Sequence, residues 1–222
     1  MAPTATRVMT PAAPKKPAGT RPARMPTDDL EDDATIKGVT YSGTDLTGRE
    51  AEALEVDQCR FENVRLTGTV MRQSVFSNIV FDTCDFAQVR TQDVSLLRSS
   101  LTSSRITGSS WANGHFRDVM FDSCRTDFTL FRYGKFKNVL FKGCNLQQAD
   151  FQFAELRDVR FEDCNLTGAQ FANADMQRVR FEGCTMIDVG GAASLKGAAV
   201  QGAGAMELAL SIARQAGIAI ES

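Results

Sequence analysis

The chain has 222 residues with 25 Lys and Arg against 27 Asp and Glu, a formal net charge of -2, and a single His. That length fits one good-sized domain or two small ones. No run of 18 apolar residues is present, which excludes a membrane-spanning helix.

The first segment, 1–33, reads as a disordered tail. All six prolines lie in residues 1–26, with five of the basic residues and no acid before Asp28. Five acids then follow between Asp28 and Asp33. Such a stretch has too little apolar content to offset the entropy of ordering. It lacks the apolar core of a secretory signal, and its prolines argue against the amphipathic helix of a transit peptide. The expected compartment is therefore the cytoplasm. A basic tail can touch nucleic acid or an anionic surface, and a solvated extension is the plainer reading.

Residues 34–198 are governed by a period of five. Every fifth residue from Ile36 to Met186 is apolar, except Thr91 and Thr126, over 31 positions, and 13 of the 15 Phe fall in this class. Two residues before each bulky position the side chain is small, as at Val39, Cys59, Val119, Ala149 and Val179, and all six cysteines belong here. Two inward positions separated by one outward position describe a short strand, and the two remaining residues make a turn. A second period of twenty, visible in V-R-F-E-D-C (159–164) and V-R-F-E-G-C (179–184), implies four such sides per coil. Coils starting near 39, 59, 79, 99, 119, 139, 159 and 179 would stack into a rod roughly 35–40 Å long at strand spacing. The register weakens at "REAEA" (49–53), where a bulge is expected. It weakens again at the Ser-rich coil 99–118, where loose packing around Trp111 is expected.

The stretches "CNLQQ" (144–148), "ADFQF" (149–153), "CNLTG" (164–168), "AQFAN" (169–173) and "ADMQR" (174–178) carry a resemblance to the pentapeptide-repeat family, whose consensus is A-(D/N)-L-x-x. The resemblance covers about 150 contiguous residues. It implies an all-β fold, a right-handed quadrilateral parallel β-helix. It also implies a non-enzymatic role: some members bind the type II topoisomerase DNA gyrase by imitating DNA, and so confer quinolone or toxin protection. Members resembling plasmid-borne quinolone-resistance proteins carry loops projecting from the rod. No register break accommodates one here, so the implied kinship is with the loop-free, dimeric type.

The last segment, 199–222, is expected to cap the rod. "GAAVQGAG" (197–204) lacks the Lys-Ser/Thr of a phosphate loop and reads as a linker. "GAMELALSIARQAG" (204–217) reads as an amphipathic helix stopped by Gly217, with Glu207, Ser211, Arg214 and Gln215 on one face. Met206, Leu208, Leu210 and Ile212 form an apolar arc expected to cover the last coil and still meet a partner. The resemblance implies a homodimer held through this helix.

Residue types that carry chemistry are sparse. His115 is alone and outward, which leaves no Ser–His or Cys–His relay, so no catalytic residue is assigned. The cysteines at 84, 124, 144, 164 and 184 form one column, no two closer than twenty residues, and read as small core side chains rather than metal ligands. No metal or cofactor is expected. "NLT" (165–167) is a glycosylation sequon only on paper in a cytoplasmic protein. Two surfaces remain. Glu62, Asp82, Asp122, Glu162 and Glu182 stack into an acidic ladder that a DNA mimic would need. Arg60, Arg160 and Arg180 flank it, and Lys142 interrupts it. Phe128 and Phe153, the two Phe outside the core class, join Tyr133 and Leu130 in an apolar corner suited to a protein partner. A topoisomerase binder and a scaffold for an unrelated protein both remain open at this point.

Overall fold

The computed structural model describes residues 10–15 and 19–219. It is a four-sided parallel β-solenoid of about nine turns with one C-terminal helix. All 31 bulky positions from Ile36 to Met186 are buried, the two threonines included. Each side ends in a residue with left-handed backbone, as at Asn63 (φ 52°) and Asp163 (φ 52°), which turns the chain through the corner. Backbone groups then pair from coil to coil at spacings mostly of nineteen and twenty-one, for example Leu66 N to Asp85 O and Arg65 N to Thr44 O at 2.8 and 3.1 Å, so little of the main chain is left unpaired.

On the first and second faces four eight-residue strands, Ser95–Thr102, His115–Asp122, Lys135–Lys142 and Glu155–Glu162, run across the shared corner in register. Shorter strands continue the second face outward in both directions. There the stack begins at Arg21–Pro22 and ends at Ala199–Gln201. The rod thus has one rung more at each end than the eight coils read from the sequence, about 43 Å over nine steps of strand spacing. Outward positions on the third and fourth faces pair through bridges such as Asp45–Arg65 and Leu130–Asp150.

The interior is a set of aromatic columns. Phe121, Phe141, Phe161 and Phe181 stack with centroids 4.6, 5.0 and 4.9 Å apart, and Phe131, Phe151 and Phe171 at 5.0 and 5.2 Å. Rings of neighbouring columns meet edge to face, as Phe151 and Phe161 do at 5.8 Å. In the Ser-rich coil the buried polar groups are bonded, and a small apolar space remains between Trp111, Leu96, Phe81 and Phe86. The Trp111 indole N–H donates to Ser109 Oγ at 2.9 Å, and Trp111 is buried. Ser99 and Ser104 each donate to the carbonyl two residues back and accept an N–H from the previous coil. A small hydroxyl fits where a small apolar group does, provided both its bonds are made. The bulge expected at 49–53 is absent. Glu50–Glu52 pairs in register with Val70–Arg72, Ala51 is buried, and the Arg49 side chain turns out to Asp29 at 2.9 Å.

Both boundaries move. The segment 1–33 was expected as tail, yet from Arg21 onward it is part of the rod. Arg21 and Pro22 pair with Val39 and Thr40, and Leu30 is buried against the first coil. Asp28 is buried and takes a two-pronged ion pair from Arg21 at 2.6 Å and the Arg24 N–H at 2.8 Å. These donors hold its carboxyl below the ordinary value, the Arg21 bond contributing most. The Tyr41 hydroxyl, with its pKa pushed up by burial, donates to the Asp28 carbonyl at 2.6 Å. Asp32 accepts the Glu52 N–H at 2.8 Å. The acidic junction therefore supplies acceptors to the open end of the first coil, a role that composition does not reveal. Further upstream, Lys15 N donates to Asn78 Oδ1 at 3.3 Å, so residues 10–15 also lie along the rod.

At the other end Ala199–Gln201, read as linker, is a strand, and helix α1 spans Gly204–Gln215. Gly204 is needed because a Cβ there would run into the Cys184 carbonyl. Helix α1 docks through its polar face together with Leu208, leaving the rest of the expected apolar arc off the rod. Glu207 accepts the Met186 N–H at 2.6 Å, Ser211 is buried, and Gln215 donates to Val189 O at 2.6 Å. Arg214 pairs with Asp188 at 2.6 Å. An open solenoid end presents unpaired backbone groups as well as core, and the polar face satisfies them.

Candidate interaction surfaces

The acidic ladder is in register: Glu62 lies beside Asp82, Asp122 beside Lys142, Lys142 beside Glu162, and Glu162 beside Glu182. Three of its five carboxylates are paired within their own strands, Arg60–Glu62 at 3.1 Å, Arg160–Glu162 at 3.1 Å and Arg180–Glu182 at 2.6 Å. Asp82 and Asp122 accept only the neighbouring hydroxyls of Thr83 and Ser123 among the described residues. Paired and interrupted, the row presents little net negative field.

The apolar corner is built by the turn positions of the fourth face. Tyr133 and Phe153 stack at 5.0 Å with rings 11° apart. Phe128 stands on the neighbouring corner, with Leu130 between them. All four are exposed, Phe128 at 59% and Phe153 at 43%. Phe128, Tyr133 and Phe153 have φ of 56°, 57° and 60°. Left-handed backbone is uncommon for bulky side chains, which crowd the adjacent carbonyl. Of the 24 described non-glycine residues in this conformation, these three are the aromatic ones. In the coils directly above and below, the same turn is made by Asn113 and Asn173 in one column and by Gly108 and Gln148 in the other.

The residues expected to hold a dimer separate. Met206 (69% exposed) and Ile212 (43%) face outward on α1, and Leu210 is half-buried. Leu208 is buried against the rod and is removed from that set. Sequence reasoning placed it with the others because it treated the whole arc as apolar surface.

All six cysteines are free and buried. Each thiol of the long column donates to a carbonyl of the preceding coil, as Cys144 does to Phe121 O at 3.4 Å and Cys184 to Phe161 O at 3.3 Å. Burial pushes the Cys84 thiol up to about 11, which suppresses the reactive thiolate. No group of three metal-ligating side chains occurs among the described residues. No helix among them is long and apolar enough to cross a membrane.

A family model described as pentapeptide repeat region matches residues 74–151 and, in a second overlapping placement, 115–190, more than half of the chain. The chain belongs to the pentapeptide repeat family. Pentapeptide repeat proteins are in general structural or binding proteins rather than enzymes. No curated relative matches the sequence. Among solved pentapeptide repeat structures, the chain is similar to trypsin-treated QnrB1, a plasmid-mediated fluoroquinolone resistance protein. Identity is 17%, over 85% of this chain and 100% of that one, with a TM-score of 0.38. It is also similar to HetL, involved in heterocyst differentiation regulation in the cyanobacterium Nostoc sp. strain PCC 7120. There identity is 14%, over 79% and 87% of the two chains, with a TM-score of 0.34. Neither likeness bears on what this chain binds.

Proposed function

We propose that this chain is a non-enzymatic binding protein, a rigid rod that holds a protein partner against Phe128, Leu130, Tyr133 and Phe153. The observation that carries this reading is the placing of three exposed aromatic rings on left-handed turn residues, where neighbouring coils use Asn, Gln or Gly. A rigid aromatic pair standing clear of the surface is the kind of anchor that dominates protein interfaces. The test is capture of partners by cross-linking from the protein's own host. The variant with Phe128, Tyr133 and Phe153 all changed to Ser loses the partner that the parent chain retains. Retention of that partner by the folded variant rejects the reading.

The second reading is occupation of the DNA groove of a type II topoisomerase such as DNA gyrase, with protection against quinolones or toxins as its consequence. It is favoured by Asp82 and Asp122, which have no cation partner among the described residues and could stand in for phosphates. A supercoiling assay decides it. Activity that responds to the chain, and stops responding when Asp82, Asp122 and Glu182 become Lys, supports the mimic. Indifference of gyrase to the parent chain at micromolar concentration rejects it. In either reading the exposed Met206 and Ile212 on α1 are the proposed contact of a homodimer, checked by light scattering of the Met206→Lys, Ile212→Lys variant.

A further inference from the structure

The first face carries a groove of about 290 Å³ between two rows of outward side chains. One wall includes His115, Lys135 and Glu155, and the other Arg117, Lys137 and Arg157. The second wall is in strict register, Arg117 beside Lys137 and Lys137 beside Arg157, so three cations stand one strand spacing apart. Like charges directly opposite one another on a sheet repel. On the third face, by contrast, signs alternate over four coils, with Arg65 meeting Asp45 at 3.1 Å and Arg105 meeting Asp85 at 3.4 Å. Pairs of like charge do occur in other rows, but a run of three occurs here alone among the described residues.

Compensation within the groove is partial. Glu155 is its one carboxylate, 3.4 Å from Arg157 and 3.9 Å from Lys135. Arg117 turns to Asp118 at 3.7 Å, and Lys137 forms no ion pair among the described residues. Four cations and one carboxylate thus converge on a concave surface. Arginine forks match phosphate oxygens two at a time, and an ammonium between two guanidiniums adds a point charge to the same anion.

We propose that this groove binds a small phosphate-bearing anion, held between Lys135 on one wall and Arg117, Lys137 and Arg157 on the other. The size follows from the row. Three rungs span about 10 Å at strand spacing, the reach of one or two phosphates. Glu155 and, in the next coil, Asp175 at 3.6 Å from Arg157 close one end, and the row continues to uncharged Leu97 and Ser77 at the other. A nucleic-acid strand laid along the axis would leave the cations at both ends and meet carboxylates at one.

The experiment is isothermal titration of the full chain at low ionic strength with inorganic pyrophosphate. Single-site binding is expected, weakened about tenfold or more by Lys137→Gln, since one charge-assisted contact is lost. Arg65→Gln, which removes an exposed cation on the third face, serves as control and leaves the affinity unchanged. Absence of binding at millimolar pyrophosphate overturns the proposal. So does equal weakening by both variants, which would mean general charge rather than a site. A twelve-nucleotide oligothymidylate bound more tightly than pyrophosphate, with the same dependence on Lys137, overturns it in favour of nucleic acid.

Discussion

Phe153→Asn separates a functional aromatic from a structural one, because its neighbour two residues earlier is a core residue of the same type. Asn adopts left-handed backbone readily, so the change relieves about 1 kcal/mol of crowding at φ 60°. Against this stand the lost stacking on Tyr133, about 1 kcal/mol, and the lost half-burial of the ring, about another 1 kcal/mol. The expected net loss is about 1 kcal/mol, a few degrees in Tm for a chain of this size. Phe151→Asn is different. That ring is fully buried between Phe131 at 5.0 Å and Phe171 at 5.2 Å. Coils fixed above and below by backbone bonds cannot collapse into the space. The cavity costs about 3–5 kcal/mol, and the unpartnered amide adds about 1–3 kcal/mol. Thermal and urea unfolding followed by circular dichroism should therefore show a small shift for Phe153→Asn and a collapse of stability for Phe151→Asn. A loss above about 3 kcal/mol at position 153 would mean that the corner holds the rod together. The argument for a partner would then fall.

Glu207→Ala leaves the Met186 N–H without an acceptor and should cost about 1–2 kcal/mol, as loss of a helix cap does, with faster amide exchange at Met186 and lower helix content. Asp28 is held below its ordinary 3.8, so its ion pair contributes fully above that pH and is lost as pH falls through the lower folded value. Asp28→Asn should lower Tm at pH 7 and shrink the drop in Tm between pH 5 and pH 2. An acid limb identical to the parent's would place the acid sensitivity elsewhere. The buried thiols should resist alkylation at pH 8 while the chain is folded, and all six should react once it is unfolded in urea. Cys144→Ala, which deletes one small buried atom, should cost about 1 kcal/mol. Ready alkylation of the folded chain, or zinc retained by the parent and lost with Cys144, would contradict a purely structural column.

The sequence by itself determined the interior of the rod. A five-residue repeat is local information: it names which side chain turns inward, and four repeats return the chain to its own column. Register then follows from counting, and Phe121 over Phe141 over Phe161 was legible before any coordinate. The acidic ladder and the Tyr133–Phe153 stack were legible for the same reason.

The ends and the groove were decided by tertiary structure. A helix with a polar face and an apolar arc does not say which side a solenoid end will take. That end offers the Met186 N–H and the Val189 carbonyl, and Glu207 and Gln215 answer them. Asp28 looked like part of a solvated acidic run until Arg21 and the Arg24 N–H enclosed it. Arg117, Lys137 and Arg157 are twenty residues apart in a nearly neutral chain, and their charges add only because parallel stacking sets them side by side. Periodicity fixes what each coil repeats. Capping and surface chemistry depend on what lies opposite, and that is settled only when the coils meet.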